Sequence, residues 1–380
     1  MNSVRTVAME TSMEKMKYRK PNQFRAYLSL TVASLRAQTR NPSTLVFGLI
    51  FPLVFIAVFG LLGGGTNTFD LGVLSTSLKS GPVYEVLAKV EALKLVTDKT
   101  DSELQEKLSK GQIPALINIQ SKPEGGYTVD VQTTSASQNS PAVAQIVNSI
   151  INSINNPEDP NQPKFISLNQ TNVEGREYKT IDFILPGQLG FALLSTGVFG
   201  IAFTFITLRQ TLVIKRLFAT PVNKVILILA EVSSRMVVAT IQAILIVGSG
   251  AVMFGFTLAN GLTTFLAMIF LAICGLIVFF GFGLIVSSIA KDENAIPAIA
   301  NLVTLPQFLL AGTFFPVESF PEFLRPVASI LPLKFLNDAM RKVSFEGATL
   351  SDVLPQLLAL LVWGVIIYAV VVKVFKWEQN

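Results

Sequence analysis

Residues 262–290 read LTTFLAMIFLAICGLIVFFGFGLIVSSIA, an apolar stretch without a charged side chain. A helix needs about 20 consecutive apolar residues to cross the hydrocarbon core of a bilayer, and this stretch is longer than that. Such length and apolarity are typical of a transmembrane helix. The sequence therefore predicts an integral membrane protein.

The composition of the whole chain agrees with this prediction. Hydrophobic residues make up 51% of the 380 residues and charged residues only 14%, whereas about 25% of the residues of a soluble domain are charged. Histidine is absent, and the single cysteine, Cys274, lies in an apolar run. The commonest general base and the commonest metal ligand are thus missing, so we predict no catalytic site, no metal site and no bound cofactor.

Six apolar stretches are candidate spans, at 45–62, 183–208, 225–256, 262–290, 295–315 and 354–375. The fifth contains Pro297 and Pro306, each of which lacks a backbone donor, so neighbouring helices would have to compensate. The predicted fold is an α-helical polytopic membrane protein of six transmembrane helices with one inserted small α/β domain.

The distribution of Lys and Arg predicts the orientation. Basic residues cluster before the first span, at 209–224 and at 373–376, whereas the segment between the first two spans leans acidic. By the positive-inside rule, both termini lie in the cytoplasm of a cell-membrane protein (inner or plasma membrane). A cleaved signal peptide is the alternative for the first span, but its long basic n-region and long apolar core favour an uncleaved anchor.

These spans divide the chain into four regions: a cytosolic segment at 1–42 with an interfacial helix at 23–40, the first span at 43–65, an extracytoplasmic domain at 66–180, and spans two to six at 181–380. Strand patterns in the extracytoplasmic domain occur at 69–74, 115–119, 127–132 and 165–168, and helical patterns at 82–95, 102–109 and 142–154. We predict a small α/β fold there, in which scattered carboxylates form a solvated face.

The loop 209–224, RQTLVIKRLFATPVNK, is basic and has apolar residues at helical spacing. Composition alone favours a short helix lying at the membrane surface, and a docking helix for a cytosolic partner is the alternative. The chain has no G-x-x-x-x-G-K-[ST] loop. If ATP drives this protein, another chain must therefore bind it.

Two charges lie inside the third candidate span. Glu231 and Arg235 are four residues apart, on one helix face near the cytoplasmic end. Charges within a span are candidates for function, but at this depth their side chains can also reach the interface. We predict an interfacial charge pair.

The segment 312–341, GTFFPVESFPEFLRPVASILPLKFLNDAMR, is broken by prolines too often for a spanning helix and is too aromatic for a free loop. Short helices that dip into the outer leaflet fit both properties. The residues that characterise this predicted re-entrant segment are Gly312, Phe314, Phe315, Pro316, Pro321, Pro332 and Arg341.

Three motifs resemble those of the permease subunits of ABC-2 type ABC exporters that have a large outer domain between spans one and two. They are Lys215-Arg216-Leu217 followed by Thr220-Pro221-Val222, the stretch from Leu310 to Pro321, and Leu331-Pro332-Leu333 through Asp338 to Arg341. The resemblance covers residues 181–380 well. In the outer domain it depends mainly on the layout of the chain.

The resemblance implies a transport subunit that is not itself an enzyme. Two permease chains, identical or paralogous, would form the path through the lipid bilayer, each docked to a separate ABC ATPase subunit that binds ATP and Mg, with no nucleic acid involved. It also implies outward movement of an amphipathic substrate such as a drug or lipid, with segment 312–341 closing the outer end. The implied ATPase-docking residues are Leu212, Val213, Lys215, Arg216, Leu217, Phe218, Thr220 and Pro221.

Two other classes of function stay open. An ion-driven secondary transporter would normally need carboxylates in the middle of its spans, where this chain is nearly free of charge. A membrane-anchored receptor or scaffold would act through the extracytoplasmic domain and would not need a docking helix.

Overall fold

The structure is a computed structural model that describes residues 23–39, 49–50, 52–58, 68–123, 125–137, 139–155, 165–174, 178–211, 223–317 and 320–375. The chain forms two compact units. One comprises Met1–Ala57 and Ile184–Asn380 and is called the helical unit below, and the other, Val58–Phe183, is called the sheet domain.

Helix α1 (Gln23–Thr39) precedes the sheet domain. The elements of the sheet domain, in chain order, are β1 (Phe69–Val73), α2 (Pro82–Lys89), β2 (Leu93–Val96), α3 (Asp101–Ser109), β3 (Ala115–Ser121), β4 (Tyr127–Thr134), α4 (Ser140–Ile154) and β5 (Ile166–Val173). The five strands form one sheet in the order β2-β1-β3-β4-β5, in which β3 and β4 are antiparallel and the other neighbours pair in parallel. Parallel neighbours need crossover connections, which α2 and α4 provide.

Alternate side chains of β3 contribute to apolar clusters on the two opposite faces of the sheet. Ile117 and Ile119 belong to a core formed with α2 and α4, whereas Leu116 packs with Leu104 and Leu108 of α3. Successive side chains of a strand point to opposite faces. Helices therefore cover the sheet on both sides, which explains why so many of its residues are apolar.

Part of the predicted helix 82–95 is a strand. The helix ends at Lys89, Val90 is extended, and Leu93–Val96 pairs with β1. Pairing with β1 satisfies the backbone groups of this segment, so tertiary structure overrides the local helical pattern.

The predicted start of α3 is also corrected. The helix predicted at 102–109 begins one residue earlier, at Asp101, and its N-cap is Thr100, which forms a capping box with Glu103. The carboxylate of Asp101 instead accepts hydrogen bonds from the hydroxyl and the backbone N–H of Ser75, at 2.6 and 2.7 Å. These hydrogen bonds lower the pKa of Asp101.

Helices dominate the rest of the described chain. Residues 49–50 and 52–58 are helical. The remaining helices are α5 (Thr180–Gln210), α6 (Lys224–Met253), α7 (Leu262–Ile289), α8 (Ala295–Leu310), α9 (Arg325–Ile330), α10 (Pro332–Arg341), a π-helical turn (Lys342–Glu346) and α11 (Leu354–Val374).

Four of the described helices, α5, α6, α7 and α11, are long and apolar enough to cross a membrane. The predicted fifth span ends at Leu310 rather than Phe315, so α8 has 16 residues. At 1.5 Å per residue it extends about 24 Å, less than the roughly 30 Å of a hydrocarbon core. Gly312 follows with φ of 72°, a region that favours glycine. The count of six crossings stays a prediction.

Glycines allow α5 and α7 to approach each other closely. A Cβ atom at Gly197 of α5 would lie 2.7 Å from Cβ of Phe279, and one at Gly283 of α7 would lie 2.7 Å from the carbonyl oxygen of Gly197. Small residues have this role in membrane helix packing because they bring two backbones together. The two helices therefore form a tightly packed pair.

Candidate functional site

The predicted docking residues, Leu212 through Pro221, lie outside the described residues, and so does Val222. The structure describes the two ends of this loop, where α5 finishes at Gln210 and α6 begins at Lys224. Asn223 caps α6, because its side chain accepts a hydrogen bond from the backbone N–H of Val225 at 2.9 Å. Its own backbone N–H donates to Gln23 Oε1 of α1 at 3.2 Å.

Arg209 lies at the α5 end of this loop and is only 8% exposed. Its Nη1 donates to the carbonyl oxygen of Ser287, in the last turn of α7. Its guanidinium carbon lies 5.2 Å from the ring centroid of Phe375, the residue that follows α11. The Nε and Nη2 groups of Arg209 are buried and have no hydrogen-bond partner among the described residues. One cation thus contacts the ends of two other spans.

At the α6 end of the loop, helix α1 is joined to α6 by side-chain hydrogen bonds. Ser34 Oγ donates to the Glu231 carboxylate at 2.7 Å. Two further hydrogen bonds of the same length join Tyr27 to Ser233 and Gln38 to Ser234. Serine and carboxylate groups of α6 thus fix the helix that was predicted to be interfacial.

Arg235 joins α6 to α5 instead. Its Nη2 donates to the hydroxyl of Thr204, and its guanidinium lies against Gly200, where a Cβ atom would be 2.6 Å from Nη1. The two charges predicted as an interfacial pair therefore bond to different helices, Glu231 to α1 and Arg235 to α5. Together they connect three helices next to the loop.

Three residues spaced four apart on α10 bind the last turn of α8 and the turn that follows it. Asn337 Nδ2 donates to the carbonyl oxygen of Ala311 at 3.1 Å, and Arg341 Nη2 donates to that of Gly312 at 2.5 Å. The backbone N–H of Leu333 donates to Gln307 Oε1 at 3.2 Å. Because residues four apart share one helix face, a single face of α10 holds the end of α8.

The re-entrant residues divide into packed and exposed groups. Phe314 packs on Phe55 and Phe308, with ring centroids 5.8 and 4.9 Å apart. Pro332 is buried at the start of α10. The exposed residues are Phe315, Pro316 and Pro321. The predicted segment thus combines a packed turn with an apolar exposed surface.

The sheet domain has a polar cavity of about 480 Å³ at the carboxyl ends of β4 and β5, lined by Thr133, Thr134, Ser135, Ser137, Ser140, Pro141, Ala144, Gln170 and Asn172. These described lining residues carry hydroxyl and amide groups and no ionisable side chain. The cavity therefore offers hydrogen bonds but no acid–base pair.

The family is decided by a match that spans most of the chain. A family model described as ABC-2 family transporter protein matches residues 42–373. The chain belongs to this family. It is accordingly the membrane subunit, or permease, of an ABC transporter, and ABC-2 permeases work with an ATPase subunit.

Several curated proteins are similar to this ABC-2 permease. The linearmycin resistance permease protein LnrN of Bacillus subtilis is 25% identical over 49% of this chain, which covers 48% of that protein. The probable multidrug ABC transporter permease YbhS of Escherichia coli is 20% identical over 85% of this chain and 89% of its own length. A second E. coli permease, YbhR, is 25% identical over 40% of this chain and 41% of its own length.

Sequence reasoning missed several residues of this ABC-2 permease that make the contacts above. Arg209 was counted only as a loop charge, and Ser34, Gln307 and Asn337 were not singled out. Arg209 had a detectable signal, since it is the first charge after the long apolar run of α5. Among the neutral polar residues, only Asn337 had a signal in the sequence, because it lies four residues before Arg341 and therefore on the same helix face.

Proposed function

We propose that this ABC-2 permease exports an amphipathic substrate, such as a drug or a lipid, using ATP hydrolysed by a separate subunit docked on residues 212–221. The observation that carries this proposal is that the helices on both sides of that loop are bonded to other helices close to it. A buried polar contact of Arg209 holds α5 on one side, and half-buried polar contacts of Glu231 and Arg235 hold α6 on the other. If a partner displaces this loop, these contacts can transmit the displacement to several helices.

The packing of helix ends supports six crossings. Arg209 brings the carboxyl ends of α5, α7 and α11 together. The loops that precede α7 and α11 also meet, because Ala259 N–H donates to the carbonyl oxygen of Ser344 at 2.9 Å. Helices α7 and α11 then run in the same direction, so the chain has to return across the bilayer between them, where α8 lies.

We expect the orientation that the basic residues predict, with the sheet domain outside and the loop after α7 inside. The test uses single cysteines at the exposed residues Asn152 and Asn294 in a Cys274→Ala background. An impermeant maleimide should label position 152 in intact cells and position 294 only after lysis. The reverse pattern would contradict this orientation.

The proposed function itself is tested with the tagged permease purified in mild detergent. We expect an ATPase subunit to co-purify and the complex, in inside-out vesicles, to accumulate the amphipathic dye Hoechst 33342 only with ATP. Complexes whose ATPase lacks its Walker lysine should not accumulate it. Accumulation driven by an ion gradient without ATP would favour a secondary transporter, and the absence of any ATPase would favour the receptor or scaffold.

A further inference from the structure

We propose that Arg209 is the positioning residue that couples the ATPase-docking loop to spans α7 and α11. The proposal rests on the proposed function and adds to it a route for the movement. Arg209 precedes residue 212, where the docking segment begins, by only three positions. A displacement of that segment would therefore reach Arg209 within one turn of α5.

The electrostatics of the site favour a cation at this point. The last carbonyl groups of a helix have no intrahelical partner and carry partial negative charge. Arg209 lies where three such ends meet, because it belongs to the last turn of α5, bonds to Ser287 of α7 and stacks on Phe375 after α11. Phe375 also packs edge-on against Phe205 of α5, with ring centroids 5.6 Å apart.

The guanidinium is nevertheless incompletely paired. Within the described part of the chain, Nε and Nη2 are buried and have no hydrogen-bond acceptor, and a buried donor left without an acceptor is costly. Buried ionic groups are often replaced by apolar residues of similar volume without loss of stability. Packing alone therefore does not account for an arginine here. Its positive charge and planar shape account for the contacts with α7 and α11.

The same contacts define how the movement would be shared. Helices α5 and α7 are already tightly packed through Gly197 and Gly283. Arg209 adds α11 to this pair at the end nearest the loop. A push on the docking loop would then move α5, α7 and α11 as one body, instead of bending α5 alone.

The test compares Arg209→Met with the wild-type complex, with Lys291→Met as the control. Lys291 is an exposed positive charge two residues after α7, so its removal changes the local charge while the contacts of Arg209 with Ser287 and Phe375 stay in place. Hydrogen exchange of 262–289 and 354–374 is measured with and without ATP and vanadate, together with ATPase association and the melting temperature.

We expect Arg209→Met to keep ATPase association and to melt no lower than the wild type. It should lose the ATP-dependent change in exchange at α7 and α11 and reduce ATP-driven dye accumulation at least tenfold. Arg209→Lys should retain part of the ATP-dependent exchange change and part of the dye accumulation, since it keeps the charge and a donor for Ser287 but not the planar stacking. Lys291→Met should behave as the wild type.

Two results would contradict the positioning role of Arg209. A normal exchange response in Arg209→Met would overturn the positioning role, and so would a loss of response that merely follows a lower melting temperature. If Arg209→Met does not fold, Phe375→Leu is measured instead, because it removes the stacked ring and leaves the arginine. Failure of the wild-type chain to bind an ATPase would reject the proposed function, which is a different outcome.

Discussion

Replacing Phe218 with alanine is expected to release the ATPase subunit while leaving the permease in the membrane. Phe218 is the aromatic residue of the basic loop between α5 and α6 and lies outside the predicted spans. Buried aromatic anchors dominate many interfaces, and truncating one typically costs about 2 kcal/mol or more. That loss corresponds to roughly a 30-fold weaker affinity. Co-purification of the ATPase at matched expression measures it.

Two further variants make this prediction specific. Phe218→Asp should release the ATPase more completely, since a docked apolar anchor does not tolerate a carboxylate. Phe315→Ala removes an exposed phenylalanine that is distant in sequence from the loop, and it should retain the ATPase. If Phe218→Asp binds the ATPase normally, this residue only rests on lipid and the docking role of the loop is wrong.

Replacing Gly187 with alanine is expected to destabilise the helical unit. A Cβ atom there would lie 2.5 Å from the carbonyl oxygen of Thr313 and 2.9 Å from its Cα. These are backbone atoms of the turn that α10 holds, so they cannot rotate away. Overpacking costs about 1–3 kcal/mol, against about 1 kcal/mol that alanine gains over glycine in a helix. The melting temperature in detergent should therefore fall.

The matched control is Gly248→Ala, also within a span. Apart from the adjacent residues and backbone of its own helix, no atom of the described residues lies within 4 Å of a Cβ atom placed at Gly248, so this variant should melt at or above the wild-type temperature. Gly187→Val should be worse than Gly187→Ala, because it adds two methyl groups at the same contact. Equal melting of Gly187→Ala and the wild type would show that α5 does not approach Thr313 so closely.

Most elements of the sheet domain could be predicted from local patterns. The strands predicted near 69, 115, 127 and 165 and the helix predicted at 142–154 are confirmed, because their apolar periodicity and the surrounding turns agree with the final packing. Strand β2 was missed, since LKLV continues a helical pattern and becomes a strand only through pairing with β1. A pairing partner more than 20 residues away leaves no local signal.

The candidate site shows a similar division. Glu231 and Arg235 were found because a charge in an apolar segment stands out in the sequence, and Arg341 was found through the motif that resembles the family. Their partners were not found, because Ser34 and Thr204 lie on other helices and Gly312 lies in the turn after α8. Neutral polar residues such as Asn337 occur throughout the chain, so the local sequence does not distinguish a buried side chain that bonds another segment from a solvated one.

The sequence by itself determined that this chain is a membrane protein of the ABC-2 type. Crossing a bilayer requires long apolar helices whatever their neighbours, and the motifs of the family are local stretches of residues. Only the tertiary structure decided which helix ends meet. Arg209 contacts Ser287 and Phe375, both far along the chain, and such contacts arise from helix packing, which depends on shape in three dimensions rather than on local sequence.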